Sequence, residues 1–166
     1  MTKASLHEPA PNSEARVEEA LELFHSRIGA AGLKSTRQRD AIVAHFFRIN
    51  QHISVQELHD IVKEENARIG YATVYRTLKL LVDHDLAKPR DFGDGITRFD
   101  PLFGKPDLHD HLICVDCRRV FEFKDRELEE KEQAIAERFG SFRVARHKLE
   151  LYATCTDEQC EHRPKS

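Results

Sequence analysis

The 166-residue sequence contains no long hydrophobic run, and its apolar stretches, such as residues 80–82, are only a few residues long. A membrane-spanning helix needs about 18 or more consecutive apolar residues, so none is predicted. The N-terminal residues also lack the apolar segment of a secretory signal. With 40% hydrophobic and 33% charged residues, the composition is that of a soluble globular protein. Together these features predict a cytoplasmic location.

The signatures of common enzymes are missing as well. The sequence contains no His-Glu-x-x-His or His-x-Glu motif and no glycine-rich phosphate-binding loop. Metal-assisted hydrolysis needs an open metal position beside a general base, and no motif here supplies that pair. We therefore expect a protein that is not an enzyme.

The four cysteines fall into two pairs, Cys114-x2-Cys117 and Cys155-x4-Cys160. Disulfides are rare in a reducing cytoplasm, so this grouping indicates metal binding or redox chemistry. Redox Cys-x-x-Cys motifs occur in a strand-to-helix context that this sequence does not have. Four thiolates without an open coordination position form a structural zinc site, which stabilises a small domain. We predict structural zinc at these cysteines.

The formal net charge of −3 would normally disfavour a nucleic-acid partner, but the charge is unevenly distributed. Residues 34–100 carry 11 basic and 10 acidic side chains, whereas the segments before and after them are net acidic. Affinity for DNA depends on local phosphate contacts rather than on the charge of the whole chain. The middle of the chain is therefore compatible with DNA binding.

Apolar residues recur at helical spacing in four segments of the first hundred residues. A helix is predicted over residues 14–31, a second follows it, a third begins at a capping box of Ser54 and Glu57, and a fourth follows Gly70. Two extended runs then flank residues 93–95, Gly-Asp-Gly, which is a strong hairpin signal. Helices followed by a β-hairpin are typical of a winged helix-turn-helix domain.

The predicted fold class is α+β. The predicted organisation is a disordered arm over residues 1–13, a winged-helix DNA-binding domain over 14–100, a hinge over 101–107 and a metal-binding dimerisation domain over 108–166. In the last domain we expect two strands, a helix near residues 125–139 and a final strand over 142–153. This β-β-α-β unit is small for an independent core, so it needs a metal staple, a partner subunit or both.

The outer side of the fourth predicted helix carries Tyr75, Arg76 and Lys79. Arginine can donate a pair of hydrogen bonds to guanine, tyrosine can contact a thymine methyl or a phosphate, and lysine neutralises backbone charge. A second basic cluster precedes the second helix and consists of Lys34, Arg37 and Arg39. Many surface helices carry such cations, but the cluster, the capping-box helix and the hairpin together favour double-stranded DNA as the partner.

His109 and His111 alternate along a predicted strand, so their side chains point to the same face. Two imidazoles on one face can begin a metal site, and carboxylates are available at Asp100 and Glu122. His52 lies just before the third helix. On their own, alternating histidines fit a solvated surface equally well. A metal-buffering protein would also explain the ligands, but not the basic helix.

Four ordered motifs make the chain, from about Gly32 to Cys160, similar to the ferric uptake regulator (Fur) family. They are Gly32-Leu-Lys-Ser-Thr-Arg-Gln-Arg39, Ala72-Thr-Val-Tyr-Arg76, His109-Asp-His-Leu-Ile-Cys-Val-Asp-Cys117, and Leu149-Glu-Leu-Tyr152 leading into Cys155. The resemblance implies a homodimer that binds a palindromic operator when loaded with a divalent metal, most often Fe(II), and represses iron-uptake genes. It also assigns the four cysteines to structural zinc.

The resemblance places the regulatory metal at five residues, namely His52, Asp100, His109, His111 and Glu122. Metal bound across the hinge would favour the arrangement in which two recognition helices meet successive major grooves. Iron-sensing relatives often carry glutamate at the position of Asp100, whereas peroxide-sensing relatives carry aspartate there and at Glu122. Fe(II) is favoured, and peroxide, zinc, manganese and nickel stay open as alternatives.

A second metal site in many relatives uses four residues, three of which match Asp110, Glu129 and His147. The fourth position, usually histidine, is Leu108 in this sequence. Because one ligand is missing, the coordination shell is incomplete. The second site is therefore expected to be weak, completed by water or absent.

Overall fold

The computed structural model describes residues 12–103, 110–156 and 160, and in these ranges it contains five helices and six strands. The described residues up to 103 form one compact unit, and those from 110 onwards belong to a second. The predicted α+β class is confirmed. Within the described ranges, no helix is both long and apolar enough to cross a membrane.

The first unit contains four helices and three strands. They are α1 Glu14–Ala30, α2 Arg37–Ile49, β1 Ile53–Ser54, α3 Val55–Glu65, α4 Tyr71–Asp83, β2 Ala87–Asp91 and β3 Thr97–Pro101. The helices bury their apolar stripes in one core, in which Phe24, Phe46, Leu58 and Leu78 are fully buried. Burying a side chain of this size stabilises the fold by about 1.5–3 kcal/mol. The helical periodicity of the sequence thus predicts most of the core, but Ile61, which it places on the inner face of α3, is 37% exposed.

The predicted capping box is present at the start of α3. Ser54 Oγ accepts from the Glu57 amide at 3.2 Å, and Glu57 Oε2 accepts from the Ser54 amide at 2.7 Å. The predicted hairpin is also present, and its turn glycines, Gly93 and Gly95, have positive φ values of 81° and 74°. Glycine adopts this backbone conformation without the steric cost that other residues incur.

A short strand that sequence analysis does not predict completes this sheet. The two residues of β1 pair antiparallel with β3, and Ile53 lies opposite Phe99. The strand order is β1-β3-β2. Because β3 extends to Pro101, the first residue of the predicted hinge belongs to the sheet, whereas residues 104–109 lie outside the described residues.

The second unit contains β4 Asp110–Cys114, β5 Val120–Phe123, α5 Arg126–Arg138 and β6 Glu150–Ala153. Its strand order is β5-β4-β6, with β6 parallel to β4. The predicted final strand begins at Glu150 and not at Phe142. The backbone of Phe142 and Val144 instead makes hydrogen bonds with the Gln133 side chain of α5, at 3.2 and 3.0 Å, so it is not available to a strand ladder there.

Candidate metal centres and nucleic-acid interface

The outer face of α4 presents the predicted DNA-binding residues to solvent. Tyr75 is 49% exposed, and Arg76 and Lys79 are also exposed. Lys79 Nζ lies 3.6 Å from Asp83 Oδ1, one helical turn away, but its side chain is still 62% exposed. Such an ion pair at the surface is weak. The lysine therefore stays available to a phosphate group.

A groove of about 610 Å³ runs between α4 and the β2–β3 hairpin. Tyr75 and Lys79 line it from the helix, together with Gln56, Tyr71 and Thr97. The last three residues are absent from the sequence-based prediction. Gln56 and Thr97 reach the groove only through the packing of α3 and the hairpin beside α4, and no local pattern in the sequence indicates this.

The second basic cluster surrounds the N-terminus of α2. Thr36 caps this helix, since its hydroxyl accepts from the Arg39 amide at 3.3 Å. The Arg39 guanidinium donates to the Lys34 carbonyl oxygen at 2.8 Å, which fixes the loop before the helix. Lys34 and Arg37 are exposed. In this cluster Arg39 thus has a supporting contact, whereas Lys34 and Arg37 present their charges to solvent.

The cysteine pairs meet at one end of the second sheet. The sulfur atoms of Cys114, Cys117 and Cys155 lie within 4.8 Å of one another. Tetrahedral zinc with Zn–S bonds of about 2.3 Å places its sulfur ligands about 3.8 Å apart, so a small contraction would fit the ion. The Cys155 amide donates to Asp116 Oδ2 at 2.6 Å, which anchors the second pair beside the first.

The Cys117 thiol is prepared for metal binding by its surroundings. Burial raises its pKa, but hydrogen bonds involving the Arg119 backbone, Cys114 and Cys160 lower it, and the net result is a pKa of about 7. A lowered pKa favours the thiolate, which is the form that binds metal. Cys160 is near enough to Cys117 to make one of these hydrogen bonds, but it is not among the three cysteines whose sulfur atoms all lie within 4.8 Å of one another.

One imidazole–carboxylate pair lies in the first unit. The antiparallel register of β1 and β3 carries His52 to the position opposite Asp100, and His52 Nε2 lies 3.6 Å from Asp100 Oδ2. The two side chains are only 3% and 1% exposed. Arg90, on β2, places a guanidinium nitrogen 3.9 Å from the same carboxylate oxygen. A buried carboxylate needs such compensating charge.

A second imidazole–carboxylate pair lies in the second unit. His111 on β4 and Glu122 on β5 are directly opposite each other in the antiparallel register, and both are buried. Imidazole nitrogen and carboxylate oxygen suit several divalent transition metals. His109, the predicted neighbour of His111, lies outside the described residues.

Two of the residues predicted for a second metal site, Asp110 and His147, are in contact with each other. His147 Nε2 lies 2.9 Å from Asp110 Oδ1, but Glu129 Oε1 lies 3.4 Å from Lys124 Nζ. The other nitrogen of His147 instead lies 2.8 Å from Glu132 Oε2. Glu132 is absent from the sequence-based prediction, although its position one helical turn from Glu129 puts both residues on one side of α5.

The profile of the Ferric uptake regulator family matches residues 30–152, which include most of both units. The chain belongs to the ferric uptake regulator family. The Ferric uptake regulation protein of Cupriavidus metallidurans is 40% identical over 135 residues, which cover 81% of this chain and 92% of that protein. The resemblance to the Fur family that the motifs indicate is thereby confirmed.

Solved structures of Fur family members agree with this assignment. A zinc-bound manganese uptake regulator is 34% identical and has a TM-score of 0.70, with 82% of this chain and 98% of that chain covered. The ferric uptake regulator of Vibrio cholerae is 33% identical with a TM-score of 0.64, covering 79% and 98% of the respective chains. The latter structure is described as revealing a structural rearrangement of the DNA-binding domains.

Proposed function

We propose that this Fur family chain is a metal-dependent transcriptional repressor that binds Fe(II) and controls iron-uptake genes. The observation that carries the proposal is one buried imidazole–carboxylate pair in each unit, His52 with Asp100 and His111 with Glu122. A divalent ion that takes ligands from both pairs, and from His109, would link the two units. Metal binding would then select the arrangement of units that fits DNA.

The proposed DNA-binding domain is a winged helix-turn-helix over residues 14–100. In this assignment α4 enters the major groove, where Arg76 and Tyr75 contact base edges, and the β2–β3 hairpin serves as the wing. Lys79, Lys34 and Arg37 are assigned to phosphate groups because their charges face solvent. The polar part of the groove between α4 and the hairpin supports this assignment, since it carries hydroxyl, amide and ammonium groups beside apolar side chains such as Ile96 and Phe99.

The proposed metal-binding and dimerisation domain follows a hinge over residues 101–107 and covers residues 108–166. Its four cysteines would hold structural zinc, with no catalytic role, because four thiolates leave no open coordination position. Zinc is expected to be essential here because the apolar core of the described chain lies in the first unit. A small unit without its own core depends on such a staple.

We propose a homodimer as the active form. α5 contains no fully buried residue, and β6 is an edge strand of its sheet. Large apolar side chains in this unit are left 43–78% exposed, namely Ile135, Phe139, Phe142, Leu151 and Tyr152. Contiguous exposed apolar surface and an open strand edge are features of interaction surfaces. A second copy would cover them and would present two α4 helices to a palindromic operator.

The ligands of the proposed regulatory site do not by themselves determine which metal binds. Nitrogen and oxygen ligands accept Fe(II), Mn(II) and Zn(II), and availability in the cell decides among them. Fe(II) is proposed because the relative from C. metallidurans is a Ferric uptake regulation protein. Mn(II) is the second candidate, since a regulator named for manganese uptake is also 34% identical.

A gel-shift experiment on the promoter of the protein's own gene tests this function. We expect retardation with anaerobic Fe(II), and its loss with a chelator or after peroxide if Fe(II) is the ligand. His111→Ala should abolish the metal dependence, whereas His84→Ala, a histidine outside both pairs, should not change it. Metal-independent binding by the wild-type protein, or unchanged metal dependence in His111→Ala, would refute the proposal. Comparison with Mn(II) and Zn(II) identifies the regulatory metal.

A further inference from the structure

Tyr71, the first residue of α4, carries an exposed aromatic ring that has no role in the function proposed above. The residue is 49% exposed, the same fraction as Tyr75, which follows it by one helical turn. Residues four positions apart lie on the same side of a helix. Both tyrosines line the groove between α4 and the hairpin, and Lys79 extends the row by one more turn. The row therefore presents two aromatic rings and an ammonium group to solvent.

The orientation of the Tyr71 ring is supported by a contact with α3. The ring of His59, whose side chain is only 14% exposed, packs against it in an edge-to-face arrangement, with the centroids 5.9 Å apart and the planes at 69°. Aromatic pairs favour this geometry. A ring that is already held in place loses little conformational freedom when a ligand contacts it, which lowers the cost of binding. Tyr71 thus suits contact with a rigid partner surface.

The place of Tyr71 in the helix indicates the kind of contact that its ring can make. In helix-turn-helix proteins, the N-terminal residues of the recognition helix contact base edges in the major groove. Apolar side chains there contact the 5-methyl group of thymine, which the other bases lack. Gln56 and Thr97, which also line the groove, are placed differently: Gln56 donates to Asp60 on α3 at 2.8 Å, and Thr97 lies on the hairpin.

We propose that Tyr71 is a second base-reading tyrosine, which selects thymine in the operator by contact of its ring with the 5-methyl group. The inference rests on the proposed DNA-binding function and adds a specificity-determining residue to it. Four residues of an α-helix rise by about 6 Å, which is close to two base-pair steps of about 3.4 Å each. With α4 lying along the groove, Tyr71 and Tyr75 would contact thymines about two positions apart in each half-site.

Deoxyuridine substitution tests this contact, because it removes only the thymine methyl group. Operator duplexes from the promoter of the protein's own gene carry deoxyuridine at one symmetry-related pair of thymines at a time, and fluorescence anisotropy with regulatory metal measures affinity. At one pair the wild type should lose about fourfold per methyl group, the value of one buried methyl, whereas Tyr71→Ala should lose nothing. Tyr75→Ala should keep the loss at that pair. Identical deoxyuridine losses in Tyr71→Ala and the wild type at every pair would overturn the inference.

Tyr71→Phe separates the role of the ring from that of the hydroxyl group. This variant keeps the apolar ring, so its operator affinity and its pattern of deoxyuridine losses should match those of the wild type. A loss of affinity as large as in Tyr71→Ala would assign the hydroxyl group to DNA and would also overturn the inference. Failure of the wild type to bind the operator with metal would refute the proposed function itself, whereas normal wild-type binding with an unchanged pattern in Tyr71→Ala refutes only the role of Tyr71.

Discussion

At the scale of single residues, the proposed DNA-binding face of α4 carries two cations of different kinds, Arg76 and Lys79. Arg76 is exposed, and no hydrogen bond or ion pair of its side chain is seen among the described residues. Lys79 Nζ lies 3.6 Å from Asp83 Oδ1, so this carboxylate balances part of the lysine charge. A guanidinium can donate two hydrogen bonds to guanine, whereas an ammonium acts as a point charge. Arg76 is therefore the residue on which operator specificity should depend.

Arg76→Ala should weaken operator binding by roughly 5- to 150-fold, the value of a bidentate base contact of about 1–3 kcal/mol. Binding to random DNA should weaken much less. Fluorescence anisotropy with both DNAs in the presence of regulatory metal measures the two affinities. Arg16→Ala, an exposed arginine on α1, serves as the control. Equal losses on both DNAs would show that Arg76 does not read bases.

Arg90 should affect metal binding at the proposed regulatory site through its charge beside Asp100. Its guanidinium lies 3.9 Å from the Asp100 carboxylate, where it would repel a divalent ion bound to that carboxylate. Arg90→Gln should therefore tighten metal binding by about tenfold at low ionic strength. Competition with a metal-binding dye measures this affinity without DNA. Lys63→Gln, an exposed residue at the end of α3, is the control, and equal affinities in both variants would contradict the prediction.

Sequence motifs identify the ligand-type residues of the site but not all of their partners. His52 and Asp100 are 48 positions apart, and they meet through the two-residue pairing of β1 with β3. So short a pairing leaves no periodic signal in the sequence. Glu129 and Glu132 are equally acidic and share one side of α5, so only packing shows which carboxylate reaches His147. The spacing of the motifs predicts which types of residue form the site, whereas tertiary contacts decide which side chains lie next to each other.

At the scale of secondary-structure elements, local patterns predict most of the first unit. The four helices follow apolar periodicity, and the capping box and the glycine turn fix the starts of α3 and of β3. The local pattern of residues 142–149 is misleading, because their apolar and polar residues alternate as they would in a strand. The Gln133 side chain of α5 donates to the Phe142 carbonyl oxygen and accepts from the Val144 amide, so these two backbone groups cannot join a strand ladder. Such competition from a side chain is not visible in a sequence pattern.

The fold of the second unit should depend on zinc bound to its cysteines. Cys117→Ser removes a thiolate with a pKa of about 7 from the cysteine cluster. We expect loss of bound zinc and of amide protection in residues 110–156, while the first unit keeps its protection because it has its own core. Hydrogen exchange with mass spectrometry resolves the two units. Val115→Ser, an exposed neighbour, is the control; retained zinc in Cys117→Ser would contradict the assignment.

At the scale of the whole molecule, the proposed switch couples metal binding to DNA binding. In this proposal each unit would contribute one buried imidazole–carboxylate pair, so neither unit alone would supply a complete shell. A metal that prefers one arrangement of the units by about 1–3 kcal/mol would change DNA affinity by roughly 5- to 150-fold. By reciprocity, operator DNA should tighten metal binding by the same factor. A dimer engages two half-sites together, so the response also depends on the interface between copies.

Ile135→Glu should convert the proposed dimer into monomers. The isoleucine on α5 is 50% exposed within one chain, and a carboxylate there would have to lose its hydration in the proposed interface. Sedimentation equilibrium measures the mass, and helix content by circular dichroism should stay unchanged. Leu33→Glu, a 45% exposed apolar residue in the first unit, should remain dimeric. Monomers of Ile135→Glu should lose most operator affinity, because each half-site is then bound separately. A stable Ile135→Glu dimer would place the interface elsewhere.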